Sequence, residues 1–130
     1  MVPEPRSADH RLADTDWLTA GGHMSLRVRS RGAGTLLVEV TGEVDLSTAR
    51  RLDEVLQDRV RGELAELVID LAGVTFFSVA GLNSLLRAQL LADSAGARLT
   101  VDAGRSRAVR RLFTLLPTDF DCVANVRPVP

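Results

Sequence analysis

Lysine and tyrosine are both missing from this chain, and all 16 of its basic residues are arginine. Without lysine there is no Schiff-base nucleophile, no Walker-type phosphate lysine and no lysine general base. Cys122 is the single cysteine, so no intramolecular disulfide and no cysteine-based metal cluster can form. The two histidines, His10 and His23, lie in or beside the N-terminal stretch. Neither stands near Cys122, and both precede the patterned region, whose serines therefore have no histidine partner within it, so no Ser-His-Asp or Cys-His arrangement is expected. Charge of one sign is also lacking, with 16 basic residues against 17 acidic and a net charge of −1. A chain so balanced is not drawn electrostatically to nucleic acid or to an anionic membrane. No apolar run approaches the roughly 18 residues that a membrane span needs. The first eleven residues carry Pro, Glu and Asp where a signal peptide needs an apolar core. The expectation is a cytoplasmic, non-enzymatic protein with no metal, no cofactor, no direct nucleic-acid contact and no membrane insertion.

What is present is the composition of a folded domain: 130 residues, 45% hydrophobic and 25% charged. Residues 1–23 lack sustained periodicity and are expected to form a flexible arm, with Trp17 and Leu18 its only apolar anchor. From Met24 the pattern changes. Leu26 and Val28 alternate with Arg27 and Arg29, the period of a half-buried strand. Arg31-Gly32-Ala33-Gly34 supplies a turn into a second strand from Thr35 to Val40, predicting an antiparallel hairpin. Gly42 interrupts the following run and predicts a bend or bulge. Ser47 or Thr48 is the expected N-cap of a helix whose apolar face is Leu52, Val55, Leu56 and Val60 and which ends at Gly62.

The branched apolar run Leu67-Val68-Ile69-Asp70-Leu71 predicts a central strand. Leu82, Leu85, Leu86, Leu90 and Leu91 predict a second helix reaching Gly96, with Arg98–Val101 a strand beyond it. A third helix is expected from about Arg105, with Pro117 as its stop, and a last edge strand over 120–126. The order β-β-α-β-α-β-α-β predicts a mixed β-sheet backed by amphipathic helices. Gly32-Ala33-Gly34 joins two strands and opens no helix, so it is a hairpin turn and not a phosphate loop. Asp45 is expected to accept backbone N–H bonds at a turn. Asp70, inside an apolar run, has no evident partner in the sequence.

Two segments resemble a known family. Leu67-Val68-Ile69-Asp70-Leu71-Ala72-Gly73-Val74-Thr75-Phe76-Phe77-Ser78-Val79-Ala80-Gly81-Leu82 is similar to the signature of the STAS domain. Val40-Thr41-Gly42-Glu43-Val44-Asp45-Leu46-Ser47-Thr48-Ala49 resembles that family's G-E-x-D-x-x-T-A element. The similarity spans residues 24–126, which the resemblance makes a STAS domain of 24–130 behind the arm. It implies an anti-anti-sigma factor, a protein that binds an anti-sigma factor of kinase-like ATPase fold and so frees a sigma factor. The implied contact residues are Asp45, Ser47, Thr48, Phe77, Ser78, Val79, Ala80, Gly81, Asn83 and Arg87, the last two on the exposed face of the second helix. Leu82, Leu85 and Leu86 are expected in the core.

Family members carry D-S-S-G-L before the second helix, and the first Ser of that motif takes phosphate. Aligned on Gly81-Leu82, Ser78 stands in the Asp place, Val79 in the phosphorylatable place and Ala80 in the second Ser place. Val79 has no hydroxyl, so the usual switch is missing; Ser78 is read as a helix N-cap, with a shifted phosphosite as the other reading. Small STAS proteins also serve as accessory subunits of ABC-type lipid transporter ATPases, which is the alternative role. A small-ligand sensor is a third reading, without convergent polar groups to mark a pocket. A homodimer is left open.

Overall fold

The computed structural model describes residues 16–19, 23–60, 63–115 and 121–123. Six strands form one sheet in sequential order: β1 (Asp16–Thr19), β2 (Met24–Ser30), β3 (Thr35–Val44), β4 (Glu66–Phe77), β5 (Arg98–Asp102) and β6 (Asp121–Val123). β1, β2 and β3 pair antiparallel, and β3 through β6 pair parallel. Each parallel step is bridged by a helix: α1 (Leu46–Arg59), α2 (Val79–Ala95) and α3 (Arg107–Leu115). The strands advance in one direction, so right-handed crossovers put all three helices on the same face. The predicted mixed sheet backed by helices is therefore the observed architecture, with one strand added.

That added strand corrects the expected arm. Asp16–Thr19 lies antiparallel on β2, with Trp17 opposite Arg27 and Leu18 opposite Leu26. Backbone pairing with an ordered edge overrides the weak side-chain periodicity of four residues. Apart from His23, the rest of the expected arm lies outside the described residues. So do Gly62, Pro117 and residues 124–126, where the first helix, the third helix and the last strand were expected to stop.

One apolar cluster fills the space between sheet and helices. Leu26, Val28, Val38, Val40, Leu67, Ile69, Leu71, Leu99 and Val101 face Leu52, Val55, Leu56, Leu85 and Val109. Burying each such side chain contributes on the order of 1.5–3 kcal/mol. The helix-free face carries charge instead: Arg27 and Arg29 approach the Glu39 carboxylate at 3.6 and 3.8 Å. Asp70 and Asp102 stand in register on that face. Each accepts a hydrogen bond from the backbone N–H two residues on, Asp70 from Ala72 and Asp102 from Gly104, both at 2.9 Å. That turn-forming bond is the partner Asp70 lacked in the sequence.

Period-two alternation fails in the second half of β4, and the ladder shows why. Glu39 pairs with Asp70 but Thr41 with Gly73; Gly42 pairs with Val74 but Glu43 with Phe76. Two residues of β4 are therefore extra, and each bulge reverses which side chains face inward. The buried positions run 67, 69, 71 and then 74 and 77. Gly42 sits at the second irregularity with φ +93°, and a Cβ there would lie 1.9 Å from the His23 carbonyl oxygen. That same oxygen accepts the Glu43 N–H at 2.9 Å. Gly42→Ala is expected to destabilise the fold by about 2 kcal/mol or more, since backbone strain and a backbone clash coincide. Urea unfolding of wild type and variant checks this.

Candidate functional site

β3 and β4 end side by side, with Val44 opposite Phe77, and a helix begins just beyond each. Two helix N-termini are thereby brought together at the C-terminal edge of a parallel pair, the usual place for a site in such a sheet. The Ser78 N–H donates to the Val44 carbonyl at 3.0 Å and ties the two strand ends.

Each helix start is capped by its own side chain. Asp45 is the N-cap of α1, which corrects the expected Ser47 or Thr48. Its Oδ1 accepts from the backbone N–H groups of Ser47 and Thr48, both at 3.0 Å, and from the Ser47 hydroxyl at 2.9 Å. The Asp45 N–H in turn donates to Thr48 Oγ1 at 2.9 Å, closing a capping box in which Thr in place of Glu supplies the return bond. An aspartate carboxylate completes the bonds that the two hydroxyls could only partly supply, and so takes the cap. The expected turn role of Asp45 holds. Its carboxyl is held below the ordinary aspartate value, first by the Thr48 backbone N–H and next by the Ser47 hydroxyl.

Ser78 is the N-cap of α2, as expected, its Oγ accepting from the N–H groups of Ala80 at 3.1 Å and Gly81 at 3.4 Å. Gly81 makes this turn possible: a Cβ there would lie 2.6 Å from the Phe77 ring and 2.9 Å from Val44 Cγ1. Ser84 sits one turn further, buried, its hydroxyl donating to the carbonyls of Ala80 at 3.3 Å and Ala49 at 3.4 Å. Thus α2 is seated closely on both β4 and α1.

The structure divides the ten sequence-predicted contact residues. Asp45, Ser47, Ser78, Val79 and Ala80 gather around the two helix starts, and Asn83 and Arg87 follow along the exposed side of α2. Thr48 and Gly81 are buried and hold the shape of the site. Phe77 is also buried, 6% exposed, and packs edge-on against Phe113 with ring centroids 6.4 Å apart. Its neighbour Phe76 faces out, 50% exposed. The segment from Phe77 to Asn83 is the last strand residue, the cap and the first turn of α2.

Leu86, expected in the core, is 41% exposed, and Leu90 is 66% exposed. The inner face of α2 is made of Gly81, Ser84, Ala88 and Ala92 with Leu82 and Leu85. Close approach to its neighbours demands small side chains there, so a leucine count misplaces the buried stripe. Sequence reasoning also missed Leu46, 81% exposed at the first position of α1. Its only signal is its place immediately after a capping aspartate, where a side chain points out of the helix start.

The apolar side chains exposed near the two caps in sequence are Leu46, Phe76 and Val79, the last 57% exposed. Neither helix carries an acidic residue in its first turn. Among the described residues no group of three or more His, Cys, Asp or Glu is placed to hold a metal ion. Exposed apolar side chains beside two helix starts suit contact with another macromolecule.

A model of the family described as "Mlab, STAS domain" matches residues 27–119. No curated protein matches the sequence. The crystal structure of an anti-sigma factor antagonist from Mycobacterium paratuberculosis is similar, with 29% identity and a TM-score of 0.66 over 82% of this chain and 90% of that chain. An antisigma-factor antagonist STAS domain from Rhodobacter sphaeroides shares the fold at 16% identity, with a TM-score of 0.56 over 63% of this chain and 88% of that one.

Two outcomes test the caps. Ser78→Ala is expected to cost about 1 kcal/mol, while Ser78→Asp, also a good cap, stays near wild type. The Asp45 carboxyl titrates lower in the folded chain than in the unfolded one. Its stabilisation is therefore complete above the ordinary aspartate range and is lost as pH falls through the lowered folded value. Denaturation midpoints from pH 7 to pH 3 should fall less steeply for Asp45→Asn than for wild type.

Proposed function

The chain belongs to the STAS-domain family, and we propose that it is a non-enzymatic anti-sigma factor antagonist. It binds an anti-sigma factor of kinase-like ATPase fold through the paired starts of α1 and α2 and thereby frees a sigma factor. The observation that carries this reading is Val79, exposed at the first position of α2 in the place where the family's phosphorylatable serine stands. The two antagonists of similar fold support the general role.

Val79 also sets the regulation. A phosphoserine at a helix start adds roughly −1.5 to −2 charges. The helix dipole would favour that charge, but an apolar contact desolvates it and binding suffers. With Val79 and Ala80 there is no oxygen to receive phosphate, and Ser78 already spends its own on two backbone N–H groups. Binding is then governed by expression level and not by a kinase.

The missing hydroxyl favours one second reading, an accessory subunit of an ABC-type lipid transporter ATPase, whose docking needs no phosphate switch. Affinity purification of the chain from its native cells separates the two: an anti-sigma factor supports the first, and a transporter ATPase alone overturns it. Incubation with the recovered anti-sigma kinase and ATP should leave the intact mass of wild type unchanged and add one phosphate to Val79→Ser. Val79→Asp should weaken anti-sigma binding about tenfold or more, measured by calorimetry. A phosphate mapped to Ser78 of wild type would overturn the constitutive reading.

A further inference from the structure

Arg105 stands just before α3 and Arg107, Arg110 and Arg111 within it, and all four are exposed. Val109 is fully buried, and Leu112 and Phe113 pack against the core. Arg107, Arg110 and Arg111 therefore share the opposite side of the helix, inside an arc of about 100°. Among the described residues none of the four guanidinium groups meets a carboxylate. Arg27, Arg29, Arg51, Arg59 and Arg87, in contrast, each lie 2.8 to 3.8 Å from one.

This concentration of one sign works against the helix that carries it. No acidic residue stands in the first turn of α3. Like charges three and four residues apart repel, and the positive end of the helix dipole adds to that repulsion. Packing holds the helix start in place, together with Ser106. Its Oγ accepts from the Val109 N–H at 3.2 Å and donates to the Val74 carbonyl at 2.7 Å. Further along, Phe113 meets Phe77 edge-on. α3 thus runs beside the last residues of β4, the strand that leads into α2. A partner that brings negative charge to its outer side removes the repulsion.

Resting on the function proposed above, we infer that the arginine side of α3 is a docking surface for an acidic patch of the anti-sigma partner. Aspartate and glutamate side chains of that partner pair with the four guanidinium groups, each of which can hold a carboxylate through two parallel bonds. The charge of the rest of the molecule selects this occupant. The whole chain carries −1, so without these four positive charges it would carry −5. An extended polyanion, a nucleic-acid duplex or an anionic bilayer, meets more of the molecule than one short helix and is opposed by that remainder. A protein partner needs only a local acidic patch. Exposed pairs of this kind act mainly on the rate of association, by steering the encounter.

The test is stopped-flow association of the full chain with the anti-sigma factor recovered by affinity purification. Arg107→Gln/Arg110→Gln/Arg111→Gln is the main variant. It removes exposed charges that repel one another, so its circular dichroism should match wild type and its unfolding midpoint should be no lower. Its association is expected to slow about tenfold at about 0.05 M salt and to approach the wild-type rate at about 0.5 M, where screening removes steering. Lysine at the same three positions should keep the wild-type rate, because steering requires charge and not shape. An unchanged rate and salt dependence in the glutamine variant, with Val79→Asp still impaired, overturns the docking surface and leaves the proposed function standing. No binding of wild type to the anti-sigma factor overturns both. Binding of wild type to random-sequence duplex DNA or to phosphatidylglycerol vesicles at about 0.15 M salt, lost in the glutamine variant, assigns the arginines to that polyanion and also overturns the inference.

Discussion

The parallel ladder between β3 and β4 is the constraint on which the rest of the molecule depends. It runs from Thr35 beside Glu66 to Val44 beside Phe77 and ends with both strands level. The level ending lets α1 and α2 start as neighbours, one just beyond each strand. The two extra residues of β4 each turn the strand over by one position, so the second restores the alternation that the first reverses, with Val74 inside between them and Phe77 inside after both. The cost is a break in the ladder, which Gly42 accommodates with a positive φ that other residues rarely adopt.

Capping and packing then fix the helix starts with little freedom. Asp45 and Thr48 satisfy each other at α1, and Ser78 satisfies α2 alone. Gly81 removes the side chain that would hold α2 off the Phe77 ring, and Ser84 bonds across to the backbone of α1. The polar groups at the site are thus occupied in holding the backbone, and what remains for a partner is mainly apolar surface. A surface of this kind favours binding by shape and desolvation, and a new charge placed in it has nothing to pair with.

Much of the fold was legible because it rests on local pattern. The hairpin of β2 and β3, the buried run of β4, the cap of Ser78 and the left-handed Gly96 that ends α2 each follow from period or from one residue's chemistry. The two motifs of the resemblance fall at the starts of α1 and α2. Leu86 and Leu90 were misread because α2 carries leucine on more than one side. Which side is buried is set by how closely α1 approaches, and the small residues Gly81, Ser84, Ala88 and Ala92 mark that face only in retrospect.

The sequence by itself determined the element types, the mixed sheet with its helices and the Ser78 cap of α2. These depend on composition, on spacing along one element or on a single side chain. Tertiary structure alone decided that Asp16–Thr19 joins the sheet and that Leu86 and Leu90 reach solvent. Both depend on how other elements of the chain pair and pack. Edge pairing, a bulge's register shift and the approach of two helices are set by the ladder and the packing between elements, which no period along one segment records.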